Sequence, residues 1–161
     1  MLKNITMNGI HMQEDSSLTI LDVARKHGID IPTLCFLKKN DCNFVHRPAS
    51  CRVCIVEVKG RRNLSPACAT YIEEGMEILT NSYKVRQERK NIVELLLSNH
   101  PNACLTCRKS GDCELQALSA KLGVSNNLEF AGPLSQENKE YRFGAILRNP
   151  SKCILCKIGR A

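Results

Sequence analysis

The chain has 161 residues, 43% of them hydrophobic and 24% charged, which at roughly 100 to 200 residues per domain leaves room for one domain or two small ones and excludes a larger assembly. No stretch approaches the roughly 18 to 20 uncharged apolar residues that cross a bilayer, and the N-terminus lacks an apolar signal-peptide core, so a cytoplasmic protein without membrane insertion is expected. The net charge of +7 comes from basic residues scattered along the chain, and with 4% aromatics and no Trp a base-stacking platform is poorly supplied, so no nucleic-acid partner is expected.

Residues 2–14 read as two short strands around Asn8-Gly9, the strongest two-residue hairpin signal. Ser16 and Ser17 are the expected N-caps of a helix over 18–27, which carries Leu18, Ile20, Leu21, Val23 and Ala24 and stops at Gly28. A loop through Pro32 leads to Cys35. Val53, Ile55, Val56 and Val58 form a β-branched run ended by a Lys59-Gly60 turn, and residues 76–80 after Gly75 predict a last strand. This order implies a small twisted sheet holding one helix, an α+β domain over 1–80. Residues 84–99 place Val85, Ile92, Leu95, Leu96 and Leu97 at mostly helical spacing and end at His100-Pro101, so this helix is the boundary between two modules. Asp112 is the expected N-cap of a helix over 113–122 that stops at Gly123, which makes 81–125 a small helical module. Residues 123–150 are polar and punctuated by Gly, Asn and Pro, with one strand expected around 141–147.

Ten cysteines without a secretory signal point to metal ligation rather than to disulfides. The first set is Cys35-x15-Cys51-x2-Cys54-x13-Cys68. A C-x-x-C can set two sulfurs on one side of a loop whose backbone N–H groups also point inward and stabilise a cluster's negative charge. A zinc ribbon pairs one C-x-x-C with another. Here Cys35 and Cys68 are lone partners set well apart from Cys51 and Cys54, which favours an iron-sulfur centre over zinc.

The segments Ile5-Thr-Met-Asn-Gly-Ile, Thr19-Ile-Leu-Asp-Val-Ala, Ile31-Pro-Thr-Leu-Cys35 and Cys51-Arg-Val-Cys-Ile-Val-Glu-Val resemble the [2Fe-2S] ferredoxin domain that begins iron-only hydrogenases and the large iron-sulfur subunit of NADH dehydrogenases. The resemblance covers about residues 1–80. It implies a β-grasp fold and one [2Fe-2S] cluster held by Cys35, Cys51, Cys54 and Cys68. Two features depart from the family's pattern. The loop between Cys35 and Cys51 is long, and Pro48-Ala49-Ser50 stands where a glycine commonly precedes the C-x-x-C, which makes close backbone approach to the sulfides harder. Cys42, the odd member within that loop, is either a free or buried thiol or a substitute for Cys35.

The second set, His100-x3-Cys104-x2-Cys107-x5-Cys113, gathers one imidazole and three thiols within fourteen residues where a helix ends, a loop turns and another helix starts. Together with its flanks, residues 99–107 and 111–116, it is similar to the His-Cys₃ [4Fe-4S] module of the same family. That similarity implies one [4Fe-4S] cluster on His100, Cys104, Cys107 and Cys113. A neutral imidazole in place of a thiolate makes such a site about one charge unit less negative, which by itself raises the reduction potential.

Asn149-Pro-Ser-Lys-Cys-Ile-Leu-Cys156 looks like the entry to a two-[4Fe-4S] ferredoxin domain, whose run is C-x2-C-x2-C-x3-C. The third ligand position is Gly159, so Cys153 and Cys156 form an incomplete third site and are expected to be orphaned thiols. Residues 126–161 are therefore expected to be a linker and the truncated start of that domain. The hydrogen-activating part of an iron-only hydrogenase would lie beyond residue 161.

There is no nucleotide-binding glycine motif and no Ser-His-Asp or paired-carboxylate spacing, so no catalytic residue is expected in this chain. The expected function is a single-electron relay between a reduced donor, such as an NADH-linked flavoprotein or a ferredoxin, and a hydrogenase or dehydrogenase subunit. The readings set against it are a docking module whose clusters or zinc only brace small cores, and a nonfunctional fragment.

Overall fold

The computed structural model describes residues 1–37, 48–124, 130, 132–133, 137 and 139–157. The backbone forms two compact units, one built on Met1–Arg89 and one on Lys90–Cys156.

In the first unit, β1 (Leu2–Met7) and β2 (Ile10–Asp15) pair antiparallel in a register that runs from Leu2↔Asp15 to Met7↔Ile10. The turn residues Asn8 and Gly9 have φ of 51° and 85°, which matches a two-residue hairpin turn whose twist suits the strands. Alternation sends Ile5 and Met7 into the core, while Thr6 and His11 share a hydrogen bond of 2.9 Å on the other face.

Helix α1 (Ile20–Lys26) starts two residues later than the serines predict. Its N-cap is Thr19, whose hydroxyl accepts from the Asp22 N–H while the Asp22 carboxylate accepts from the Thr19 N–H, a reciprocal capping box. The Ser17 N–H instead donates to Asp15, 2.8 Å away. Ile20, Leu21, Val23 and Ala24 are fully buried. At the other end of α1, Lys26 and His27 both lie 2.7 Å from the buried Glu14 carboxylate. The hydrogen bond from Lys26, then that from His27, holds this carboxyl below its ordinary value, and so ties α1 to β2.

The sheet is completed by β3 (Ile55–Val58), β4 (Ser65–Pro66) and β5 (Met76–Leu79), in the order β2-β1-β5-β3-β4. β5 runs parallel to β1, pairing Ile5 with Met76, and antiparallel to β3. The two-residue strand β4 has no sequence signature; it exists because Val56 and Ile55 pair with Ser65 and Pro66. One mixed sheet with α1 packed on it, built on a core of Ile5, Met7, Val56, Val58 and Ile78, makes this the expected α+β fold of β-grasp type.

Helix α2 (Tyr83–Ser98) runs through the boundary between the units. In the second unit, a short 3-10 helix (Cys104–Thr106) precedes α3 (Glu114–Lys121), whose N-cap is Cys113 rather than Asp112. The Asp112 carboxylate is 3.1 Å from Lys109 Nζ, and the Cys113 side chain makes no capping bond. The single strand expected near 141–147 is a hairpin, β6 (Tyr141–Phe143) and β7 (Ile146–Arg148), turning at Gly144 with φ 57°. No helix among the described residues is long and apolar enough to cross a membrane.

Candidate metal centres

Cys35, Cys51, Cys54 and Cys68 are all buried, and the backbone explains how residues so far apart in sequence meet. Cys54 stands just before β3 and Cys68 just after β4. The pairing of those strands continues one step outward through the Ala67 N–H, which donates to the Cys54 carbonyl at 3.1 Å. The Ala67 carbonyl in turn accepts from the Leu21 N–H at 3.0 Å, which fixes this corner to α1. The Cys54 side chain lies beside that of Cys68 and the Cys51 side chain beside that of Cys35, and Cys35 and Cys51 are both near enough to act electrostatically on Cys68. No disulfide links any described cysteine.

Backbone amides point into this thiol group. The Ala49 N–H donates to Cys68 Sγ at 3.2 Å and the Cys51 N–H to Cys35 Sγ at 3.4 Å. The backbone at Val53 and Leu34 also favours the charged form of Cys51. Two residues without a glycine's freedom adopt left-handed backbone to aim these groups: Ala49 at φ 65° and Arg52 at φ 61°. The glycine missing from Pro48-Ala49-Ser50 has therefore been replaced at the cost of strain, and the backbone approach is kept. Substituting Ala49→Gly should stabilise the metal-free protein by about 0.5 to 1 kcal/mol, because relief of left-handed strain exceeds the lost methyl packing and added chain entropy. Thermal unfolding checks this, and a lower midpoint would contradict the strained assignment at residue 49.

Without metal, Cys51 and Cys54 are poor thiolates. Burial pushes the Cys51 thiol up to about 11. Cys54 is raised further, first by its hydrogen bond to Cys68 and then by burial, while Cys68 is lowered chiefly because Cys54 donates to it. Four buried soft donors in two neighbouring pairs, with backbone N–H groups on the sulfurs of Cys35 and Cys68, suit a polynuclear iron-sulfide core, whose ligands sit on different irons. Among the described residues no three His, Cys, Asp or Glu side chains converge as they would on a single ion, so a mononuclear tetrahedral site is not preformed here.

The second set lies where α2 ends. The His100 N–H donates to the Leu97 carbonyl at 3.0 Å, and the ring is half-buried with Nδ1 fully enclosed and lacking any hydrogen-bond partner. A buried polar atom left unpaired is costly, and a metal bond would satisfy it. Burial also holds this imidazole below its ordinary value, against the backbone of Pro101 and Lys152, and so favours the neutral, ligating form. Cys104 opens the 3-10 helix, Cys107 follows it and Cys113 caps α3, all three half-buried. Between them the Ser110 N–H donates to the Cys107 carbonyl at 3.0 Å. The left-handed Gly111, whose N–H donates to Gln116 at 3.0 Å, turns the chain into α3.

Cys153 and Cys156 follow the 3-10 helix Pro150–Lys152. Cys153 is exposed and accepts from the Leu155 N–H at 3.4 Å, while Cys156 is half-buried. Cys42, most of the long loop around it, and Gly159 lie outside the described residues. Two features escape a reading of the cysteine pattern: the left-handed Ala49 and a buried arginine, Arg89. The second has a signal in sequence, because Val85, Arg89 and Val93 share one face of α2 and all three are buried.

Residues 3–83 match the family described as 2Fe-2S iron-sulfur cluster binding domain, and residues 89–127 match the NADH-ubiquinone oxidoreductase-G iron-sulfur binding region. Both cofactor types expected, one [2Fe-2S] and one [4Fe-4S] cluster, accord with these matches. The chain is 44% identical over 153 residues to the NADP-reducing hydrogenase subunit HndD of Solidesulfovibrio fructosivorans, covering 95% of this chain and 26% of that protein. It is 37% identical to the NADPH-Fe(3+) oxidoreductase subunit alpha of Geobacter sulfurreducens (strain DL-1 / KN400), covering 96% and 18%. Against iron hydrogenase 1 of Clostridium pasteurianum the identity is 36%, covering 96% and 26%. The chain thus spans about a quarter or less of the length of these curated relatives. Among solved structures it is similar to a chain of an NAD+-reducing [NiFe]-hydrogenase in the H2-reduced state, with a TM-score of 0.81 and 28% identity, covering 96% of this chain and 63% of that one.

Proposed function

The chain belongs to the 2Fe-2S iron-sulfur cluster binding domain family, and from that premise we propose that it relays single electrons within a larger oxidoreductase assembly. In this reading Cys35, Cys51, Cys54 and Cys68 hold the [2Fe-2S] cluster, and His100, Cys104, Cys107 and Cys113 hold the [4Fe-4S] cluster. The observation that carries it is the buried group of four thiols lined by backbone N–H donors.

When bound, the clusters supply one-electron redox chemistry that no side chain of this protein can provide. The protein's part is to bury the four thiols, offer amide donors to their sulfurs, and keep the His100 ring neutral with Nδ1 enclosed. In this proposal the donor is a reduced NADH-linked flavoprotein or ferredoxin and the acceptor a hydrogenase or dehydrogenase subunit; the relatives' names, which are those of hydrogenase and oxidoreductase subunits, support a redox partner in general. The domain limits 1–80, 81–125 and 126–161 and a cytoplasmic location belong to the same proposal, with Cys153 and Cys156 outside both clusters.

Anaerobic purification of the whole chain followed by iron and sulfide analysis and paramagnetic spectroscopy tests this. About six irons per chain are expected, two for one cluster and four for the other. A colourless product with zinc and no iron would end the proposal, and eight or more irons would bring Cys153 and Cys156 into a third site. The docking reading draws on the small apolar core of the second unit, where Val93, Leu115 and Leu118 are the buried hydrophobics among the described residues. It gains only if both clusters assemble and no physiological donor reduces them.

A further inference from the structure

Arg89 is 5% exposed, which is rare for a guanidinium, since burying a charge is unfavourable unless it is paired and hydrogen-bonded. Its Nε donates to the Val53 carbonyl at 3.0 Å, and its Nη2 donates to the Ile55 carbonyl at 2.8 Å and the Thr80 carbonyl at 3.3 Å. Val53 and Ile55 are the residues on either side of Cys54, so one rigid, planar fork holds the backbone before and after that cysteine. The third acceptor, Thr80, ties the same fork to the segment just past β5.

Carbonyl oxygens satisfy the N–H groups but do not cancel the charge. Among the described residues no carboxylate forms an ion pair with Arg89. The acidic side chains whose field reaches it are first that of Cys54, a thiolate only when it ligates metal, and then Asp30. A [2Fe-2S] core on four thiolates is doubly negative when oxidised and triply negative when reduced. A fixed cation beside it therefore favours the reduced form more than the oxidised one. The low local dielectric lets this preference act with little screening.

We propose that Arg89 is the positioning residue of the [2Fe-2S] site, clamping the backbone on both sides of Cys54 and setting the cluster's reduction potential upward with its buried positive charge. This rests on the assignment of that cluster to Cys35, Cys51, Cys54 and Cys68. It goes further by giving a role to a residue outside the thiol pattern and outside any motif read from the sequence.

The test compares the whole wild-type chain with Arg89→Met and Arg89→Lys, all loaded anaerobically, by redox titration of both paramagnetic signals. The [4Fe-4S] signal serves as an internal control. Arg89→Met is expected to reduce at least tenfold the reduced-to-oxidised ratio of the [2Fe-2S] centre at a fixed potential, about 59 mV for a one-electron couple, with the [4Fe-4S] midpoint unmoved. Arg89→Lys keeps the charge but not the fork, and is expected to hold the wild-type midpoint while broadening the [2Fe-2S] signal. If both variants load and titrate like wild type, the proposal is overturned. If Arg89→Met assembles no [2Fe-2S] centre, loading of Arg89→Lys decides: assembly at the wild-type midpoint supports a need for charge, and failure of both reduces Arg89 to packing and overturns it. A wild-type chain without a [2Fe-2S] signal would instead overturn the cluster assignment itself.

Discussion

Cys54→Ser is expected to abolish the [2Fe-2S] signal, lower the iron content from about six to about four per chain, and leave the [4Fe-4S] signal intact. Serine is close in shape, but its hydroxyl is far harder to deprotonate than a thiol, and its oxygen is a hard donor where iron and sulfide favour a soft one. The position allows little compensation. Cys54 is fully buried, its carbonyl is committed to the Ala67 N–H at 3.1 Å, and its neighbours on both sides are held by Arg89. Cys54 belongs to a buried core that also contains Val56, Ala67 and Cys68, so a substitute ligand would have to displace part of that packing. Because metal binding and folding are coupled, the loaded variant should also be less stable than the loaded wild type by more than about 4 kcal/mol. Iron analysis, paramagnetic spectra of the reduced protein and thermal unfolding check the three parts separately. A Cys54→Ser protein with an unchanged [2Fe-2S] signal would remove Cys54 from the ligand set and point to a different fourth donor.

The second large effect concerns the imidazole. His100→Cys should retain a [4Fe-4S] centre but lower its midpoint potential on the order of 100 mV, because a thiolate replaces a neutral ring and adds one negative charge to the reduced and oxidised forms alike. His100→Ala should lose most of the cluster, since the enclosed pocket of Nδ1 is then left without a donor. Redox titration of the two variants distinguishes a ligand from a bystander. If His100→Cys titrates at the wild-type midpoint and His100→Ala holds four irons in this site, His100 is a buried structural histidine and another group completes the set. The [2Fe-2S] midpoint should not move in either variant, which separates a local ligand effect from general damage.

Short-range chemistry was legible in the sequence. Asn8-Gly9 makes a hairpin because both residues tolerate positive φ; β-branched runs make β3; Gly28 and Gly123 stop helices because their backbone is left-handed there. The spacing of seven cysteines and one histidine, with the resemblance it carries, marked two candidate donor sets, because ligand chemistry demands those residue types wherever the chain runs. What the tertiary structure decided depends on partners distant in sequence. The α1 cap is Thr19 rather than Ser16 or Ser17, since the Ile20 and Leu21 N–H groups find carbonyls at Thr70 and Ala67. β4 exists only as the partner of β3, and residues 141–148 turn back as a hairpin instead of extending as one strand. The parallel pairing of β1 with β5, the meeting of Cys54 with Cys68, and the burial of Arg89 between Val53, Ile55 and Thr80 follow the same rule. Local propensity sees only a few neighbours along the chain. The free energy that seats a charged residue on an apolar helix face, or an alanine in left-handed backbone, comes from groups dozens of residues away.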